Sequence, residues 1–178
     1  FAHNANSVRN ILFIERDGIG YNVSLQVLDA ILCHNGEMLS KKYMPDYDKT
    51  IAQFWQEYED CWHQKNTSLI IRPMTLEGCV VRVSDVISYI GKDIEDAIGI
   101  IKQSDLPKEV TDILGFDNKS MINRLIGDIV IHSYGKPYLR FSNEVFSALK
   151  TLLNFLSNRV HQHPVLVKEN TKLVRMIN

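Results

Sequence analysis

TLEGCVVRVSDVISYIGKDIEDAI, residues 75–98, decides the reading of the fold. Its apolar residues Leu76, Val80, Val83, Ile87, Ile94 and Ile98 recur three and four apart, the period that turns one face of an α-helix inward. Thr75 stands where a helix cap belongs, and Glu77 falls in the first turn, where a carboxylate meets the free N–H ends. In that frame Asp85, Tyr89 and Asp93 lie at i, i+4 and i+8, a slowly rotating polar stripe about 12 Å long. A carboxylate set among β-branched residues without a partner costs several kcal/mol, roughly, to bury. Asp85 therefore calls for a neutralising group, and a metal ion is one. Arg82, three residues earlier, offers an ion pair with a carboxylate or a contact to a phosphate.

Upstream, FAHNANSVRNILFIERDG reads as a helix entered through Asn4 or Asn6, with Val8, Ile11, Leu12 and Phe13 inward and Gly18 stopping it. His3 sits at its mouth. YNVSLQVLDAILCHNGE reads as a short amphipathic helix on Leu25, Leu28, Ile31 and Leu32. His34 falls near its C-terminus, where an imidazole meets free carbonyls; no second ligand sits at i+3 or i+4, so the reading is structural rather than metal-binding. A connection follows, ending in a cap at Asp48, then an aromatic helical face of Ile51, Phe54, Trp55, Tyr58, Cys61 and Trp62 suited to a core or a subunit interface. Residues 68–73 form a β-branched run halted by Pro73. Downstream, Asp105 and Pro107 open a short helix that Gly115 ends. A packing helix spans about 120–134, and Ser142 caps a long one carrying Val145, Leu149, Leu152, Leu156 and Val160. Residues 165–177 read as a last amphipathic helix.

Four of these segments carry a resemblance to one family, and YNVSLQVLDAILCHNGE is similar to its "L-N-L-T-…-V-…-G-I-L-x-H" element. VRVSDVISYIGKDIEDAI is similar to the "V-R-I-A-D-R-I-A-Y-…-D-I-…-D-A-I" helix of HD-superfamily phosphohydrolases of the deoxyguanosine-triphosphate triphosphohydrolase type. FAHNANSVR resembles the family's "F-x-H-N-x-Q-S-x-R", with Asn6 where Gln is usual, and SNEVFSALKTLLNFLSNRVHQHP resembles its "S-x-E-V-x-x-A-L-x-x-L-x-x-F-…-V-Y-x-H-P", with His161 in place of Tyr. The resemblance implies an all-α, HD-domain-type fold, of which residues 1–178 are the C-terminal portion with the helices that follow. It implies hydrolysis of dGTP or another deoxynucleoside triphosphate to deoxynucleoside and inorganic triphosphate. A divalent ion, Mn²⁺ or Mg²⁺, is held in the family by a His, a His-Asp pair and a final Asp, and Asp85 takes the last place. None of the six histidines is followed by Asp, so the other ligands are expected upstream in a longer chain, and residues 1–178 alone are expected to be inactive. By the same resemblance His3 is the general acid toward the leaving 5′-oxygen and Asn4 a polar contact beside it. Asp93 accepts from the 3′-hydroxyl, Tyr89 crowds the 2′ position, and His161 and Gln162 face the base. A homo-oligomer is implied as well.

Composition bounds the rest. With 178 residues and 45% hydrophobic content, one helical domain is expected, and no apolar run reaches the roughly 18 residues of a membrane span. The net charge of −1, with both signs interspersed, gives no broad attraction for nucleic acid or an anionic membrane. Three widely spaced cysteines, Cys33, Cys61 and Cys79, fit reduced core thiols in a cytoplasmic protein. Two competing functions remain: another HD phosphohydrolase acting on nucleoside monophosphates or cyclic nucleotides, and a noncatalytic helical module using the face of Phe54, Trp55 and Trp62.

Overall fold

The structure, a computed structural model, describes residues 2–35, 39–97 and 103–161, with the backbone alone at 96, 160 and 161. Eight α-helices fill it in chain order: α1 (His3–Phe13), α2 (Leu25–Leu32), α3 (Ile51–His63), α4 (Thr67–Ile70), α5 (Leu76–Ala97), α6 (Lys108–Leu114), α7 (Asn118–Ser133) and α8 (Asn143–Leu156). A wide π-type turn over Ser157–His161 follows α8. Two two-residue strands, β1 (Lys42–Tyr43) and β2 (Leu139–Arg140), pair antiparallel, Lys42 facing Arg140 and Tyr43 facing Leu139. The all-α class expected from the sequence is thus the observed one. The expected helix over 165–177 lies outside the described residues.

The chain divides into two compact units, one formed by Phe1–Val86 with His132–Arg140, the other by Ile87–Ile131 with the chain from Phe141 onward. In the first unit α1, α2 and α3 pack on one another around Ala5, Val8, Leu28, Leu32, Cys33, Phe54, Tyr58, Cys61 and Ile71. Of the aromatic face read on α3, Phe54 and Tyr58 are core, Trp62 is half-buried and Trp55 is exposed. An edge-to-face ladder still links all four, with centroid spacings of 5.1, 5.6 and 6.0 Å. In the second unit α6 packs on α8, burying Val110 and Leu114 on one helix and Val145, Leu149 and Leu152 on the other. The Asp128 carboxylate accepts the Ser142 N–H at 2.8 Å and ties α7 to the start of α8.

Helix starts show which local signals won. Ser142 caps α8 through Val145 N–H at 3.2 Å, and Thr75 accepts from Gly78 N–H at 3.1 Å at the head of α5, both as expected. Helix α3 starts two residues later than expected. Thr50 and Gln53 form a reciprocal capping box there, at 3.3 and 2.8 Å, and that box outcompetes Asp48. Helix α1 begins at His3 with no side-chain cap, because the Asn4 amide is drawn into the core to donate to Leu32 O at 2.6 Å. It ends at Phe13, ahead of Gly18, in a run of turns. Of the β-branched run over 68–73, the part up to Ile70 makes one helical turn, α4, and the chain becomes extended only at Ile71. The buried guanidinium of Arg82 donates to Leu69 O at 2.8 Å and Ile71 O at 2.5 Å at the end of α4, so a tertiary contact overrides β propensity.

Candidate functional site

Helix α5 carries the polar stripe. Its first turn folds tightly onto the preceding segment: a Cβ at Gly78 would stand 2.5 Å from the Pro73 Cβ, so only glycine permits that approach. Arg82, one turn on, donates to the two backbone carbonyls of the α4 end, Leu69 O and Ile71 O. Asp85 is half-buried between the buried Val83 and Val86, in the part of α5 that belongs to the first unit. Tyr89 is 60% exposed and Asp93 half-buried, in the part that belongs to the second.

His3 is exposed at the first residue of α1, its carbonyl accepting from Ser7 Oγ at 2.9 Å. Its ring meets that of His34 edge to face, with centroids 5.1 Å apart and 72° between the planes. His34 is half-buried just past the end of α2, with Nδ1 2.6 Å from Ile31 O, so the reading of His34 as a helix-end residue describes what it does. Asn4 is fully buried; its amide joins α1 to α2 through Leu32 O and lies 3.8 Å from Cys61 Sγ. Gln162 lies outside the described residues, and for His161 only the backbone, at the end of the π-type turn, is described.

The strongest electrostatic constellation was missed in the sequence. Lys49 Nζ donates to Asp29 Oδ1 at 2.8 Å, to Glu57 Oε2 at 2.7 Å and to Arg72 O, and lies 3.7 Å from Cys33 Sγ. Asp29 Oδ2 accepts the Met74 N–H at 2.6 Å. Burial alone pushes the Lys49 pKa down, but Cys33, Asp29 and Glu57 around it outweigh that and raise it above its ordinary value. Burial, then the Asp29 charge, pushes the Cys33 thiol well up. Asp29, Cys33 and Glu57 are, among the described residues, the one group of three or more His, Cys, Asp or Glu side chains close enough to share a metal ion. The ammonium holds the centre of that group with all three of its protons committed, so the cluster reads as a structural hub. Two signals in the sequence point to it. Asp29 falls on the apolar face of α2, one turn after Leu25 and three residues before Leu32, and Lys49 precedes a helix start, where a cation is disfavoured.

Asp85 belongs to no such group among the described residues. As a metal ligand it is one donor, and a divalent ion takes about four to six; these residues do not build a metal site by themselves.

The described residues define an all-α protein, with one two-stranded pairing, a buried cationic hub and the acid-bearing helix α5. Over 97% of its length the chain is 32% identical to the deoxyguanosinetriphosphate triphosphohydrolase-like protein of Clostridium tetani. It is 33% identical, again over 97%, to the protein of that name from Clostridium perfringens strain SM101, and 27% identical over its full length to that of Desulfatibacillum aliphaticivorans. It spans 44%, 44% and 46% of those relatives, a little under half the length of each. The resemblance to the dGTP triphosphohydrolase family thus extends over nearly the whole chain. No family model matches the sequence, and no solved structure matches the fold. No helix among the described residues is long and apolar enough to cross a membrane.

Proposed function

We propose that residues 1–178 are the later part of an HD-type, metal-dependent deoxynucleoside triphosphate triphosphohydrolase that works as a homo-oligomer in the cytoplasm. The observation that supports this most is similarity to proteins named for that activity over nearly the entire chain. Asp85 is one carboxylate of the metal site, and the His and His-Asp ligands come from outside these residues. When bound, the ion acts as a Lewis acid toward the α-phosphate.

The chain's own residues do the rest. Asp93 accepts from the 3′-hydroxyl of the sugar. Tyr89 fills the space a 2′-hydroxyl needs, so ribonucleotides are refused mainly by shape. As water attacks the α-phosphorus and the bond to the 5′-oxygen breaks, the leaving oxygen needs a proton. An imidazole can carry one near neutral pH, and His3 at the free start of α1 supplies it. Asn4 acts from the core side by fixing the backbone next to His3, and His161 with Gln162 contacts the base.

The test incubates the parent protein with dGTP and Mn²⁺ and separates the products. Deoxyguanosine and intact triphosphate are expected from the wild type and neither from Asp85→Ala, while residues 1–178 alone release nothing. A folded, metal-loaded parent that leaves all four deoxynucleoside triphosphates intact refutes the reading.

A further inference from the structure

We propose that His34 is a positioning residue for His3, its ring holding the imidazole of His3 in one orientation at the start of α1. This rests on the reading of His3 as the proton donor. An exposed imidazole on the first residue of an uncapped helix turns about two side-chain torsions, and a donor that points the right way only part of the time transfers its proton correspondingly slowly.

His34 is held where His3 is loose. Its Nδ1 lies 2.6 Å from the Ile31 carbonyl, which only accepts, so Nδ1 carries the proton and both the tilt and the tautomer of the ring are set. The backbones of the two histidines are tied independently. Asn4, the residue after His3, donates to Leu32 O at 2.6 Å, two residues before His34. One bond therefore fixes the separation of the two main chains, and another fixes the ring of His34. The edge-to-face contact, 5.1 Å between centroids at 72°, lies in the range where aromatic pairs attract and passes that order on to the ring of His3. None of the three interactions substitutes for another, and all converge on the one side chain at the mouth of the helix.

Steady-state kinetics of the parent protein on dGTP test this. His34→Ala is expected to lower kcat about three- to tenfold, the worth of one aromatic pair, with KM within about twofold of wild type. His34→Phe keeps the ring contact and loses the bond to Ile31 that sets its tilt, and it restores part of the rate, to a value between alanine and wild type. His34→Asn keeps a donor for that carbonyl without a ring and stays as slow as the alanine variant. In a His3→Ala background, His34→Ala changes nothing further. A wild-type rate in His34→Ala or His34→Asn, a phenylalanine variant as slow as alanine, or losses at His3 and His34 that multiply would each overturn the proposal. A parent that hydrolyses dGTP while His34→Ala matches wild type removes only the role of His34; a parent that hydrolyses no deoxynucleotide removes the proton-donor reading and this role with it.

Discussion

Lys49 is the residue on which the first unit closes. Its side chain is 2% exposed and that of Asp29 is not exposed at all, so the pair gains nothing from water, and its worth lies in complete hydrogen bonding. Removing one partner of such a buried pair leaves a bare charge and costs about 3–5 kcal/mol. Lys49→Met keeps the volume and strands the Asp29 carboxylate, so a loss of that size in denaturant unfolding is expected; a loss below about 1 kcal/mol would show that the hub relaxes to water or protonates at little cost. Because Asp29 also accepts from Met74 and Lys49 also donates to Arg72, the same substitution loosens the short segment that leads into α5. The hub thus links a residue-scale ion pair to the placement of the helix that carries Asp85.

At the scale of elements, the approach of α5 to its own lead-in segment depends on the missing side chain at Gly78. An added Cβ there meets the Pro73 ring carbon at 2.5 Å, and a proline ring cannot swing aside. Gly78→Ala is expected to destabilise by about 1–3 kcal/mol despite the helix propensity of alanine. Gly127, inside α7, is the control: nothing lies within 4 Å of its built Cβ, and Gly127→Ala should stabilise by about 0.5–1 kcal/mol. Thermal melts of the two variants must move in opposite directions, and a common direction would show that propensity, not close packing, sets the cost. Both glycines lie inside helices and look alike in the sequence. That contrast marks what was legible. Periodicity and caps located α5, α6, α7 and α8, because Thr75, Ser142 and Gly115 act within a few residues of themselves. The start of α1 and the run forming α4 escaped, because the Asn4 amide goes to Leu32 and the guanidinium of Arg82 reaches back to Leu69 and Ile71. The polar stripe was legible as a spacing on one helix. Asp29 and Lys49 stood out as misplaced charges, but their pairing in the hub and the His3–His34 contact were not legible, since each joins residues that only the packing of α1, α2 and α3 brings together.

For the molecule as a whole, proton balance gives the most direct test of that packing. Burial raises the thiol of Cys33 well above its ordinary value and that of Cys79 from 9.0 to about 11. Burial also raises the phenol of Tyr43, and the Lys49 ammonium is raised by the groups around it in spite of its burial. All of these lie in the first unit. Each binds its proton more tightly folded than unfolded. As pH climbs past the ordinary thiol value, the unfolded chain gives up protons that the folded chain keeps, so the unfolded state holds fewer and the slope of stability with pH is negative. These contributions are fully present below about pH 8.5, start to fall near pH 9 and continue to fall through about pH 11. Denaturant midpoints at pH 8, 9.5 and 10.5 are therefore expected to decline in that order. Cys79→Ala should remove part of the decline, since its thiol no longer titrates, while still lowering stability at pH 8 through the lost packing. A midpoint that stays level from pH 8 to 10.5 would mean that these groups meet water in the folded protein, and the closed core around α1, α2, α3 and the head of α5 would have to be redrawn.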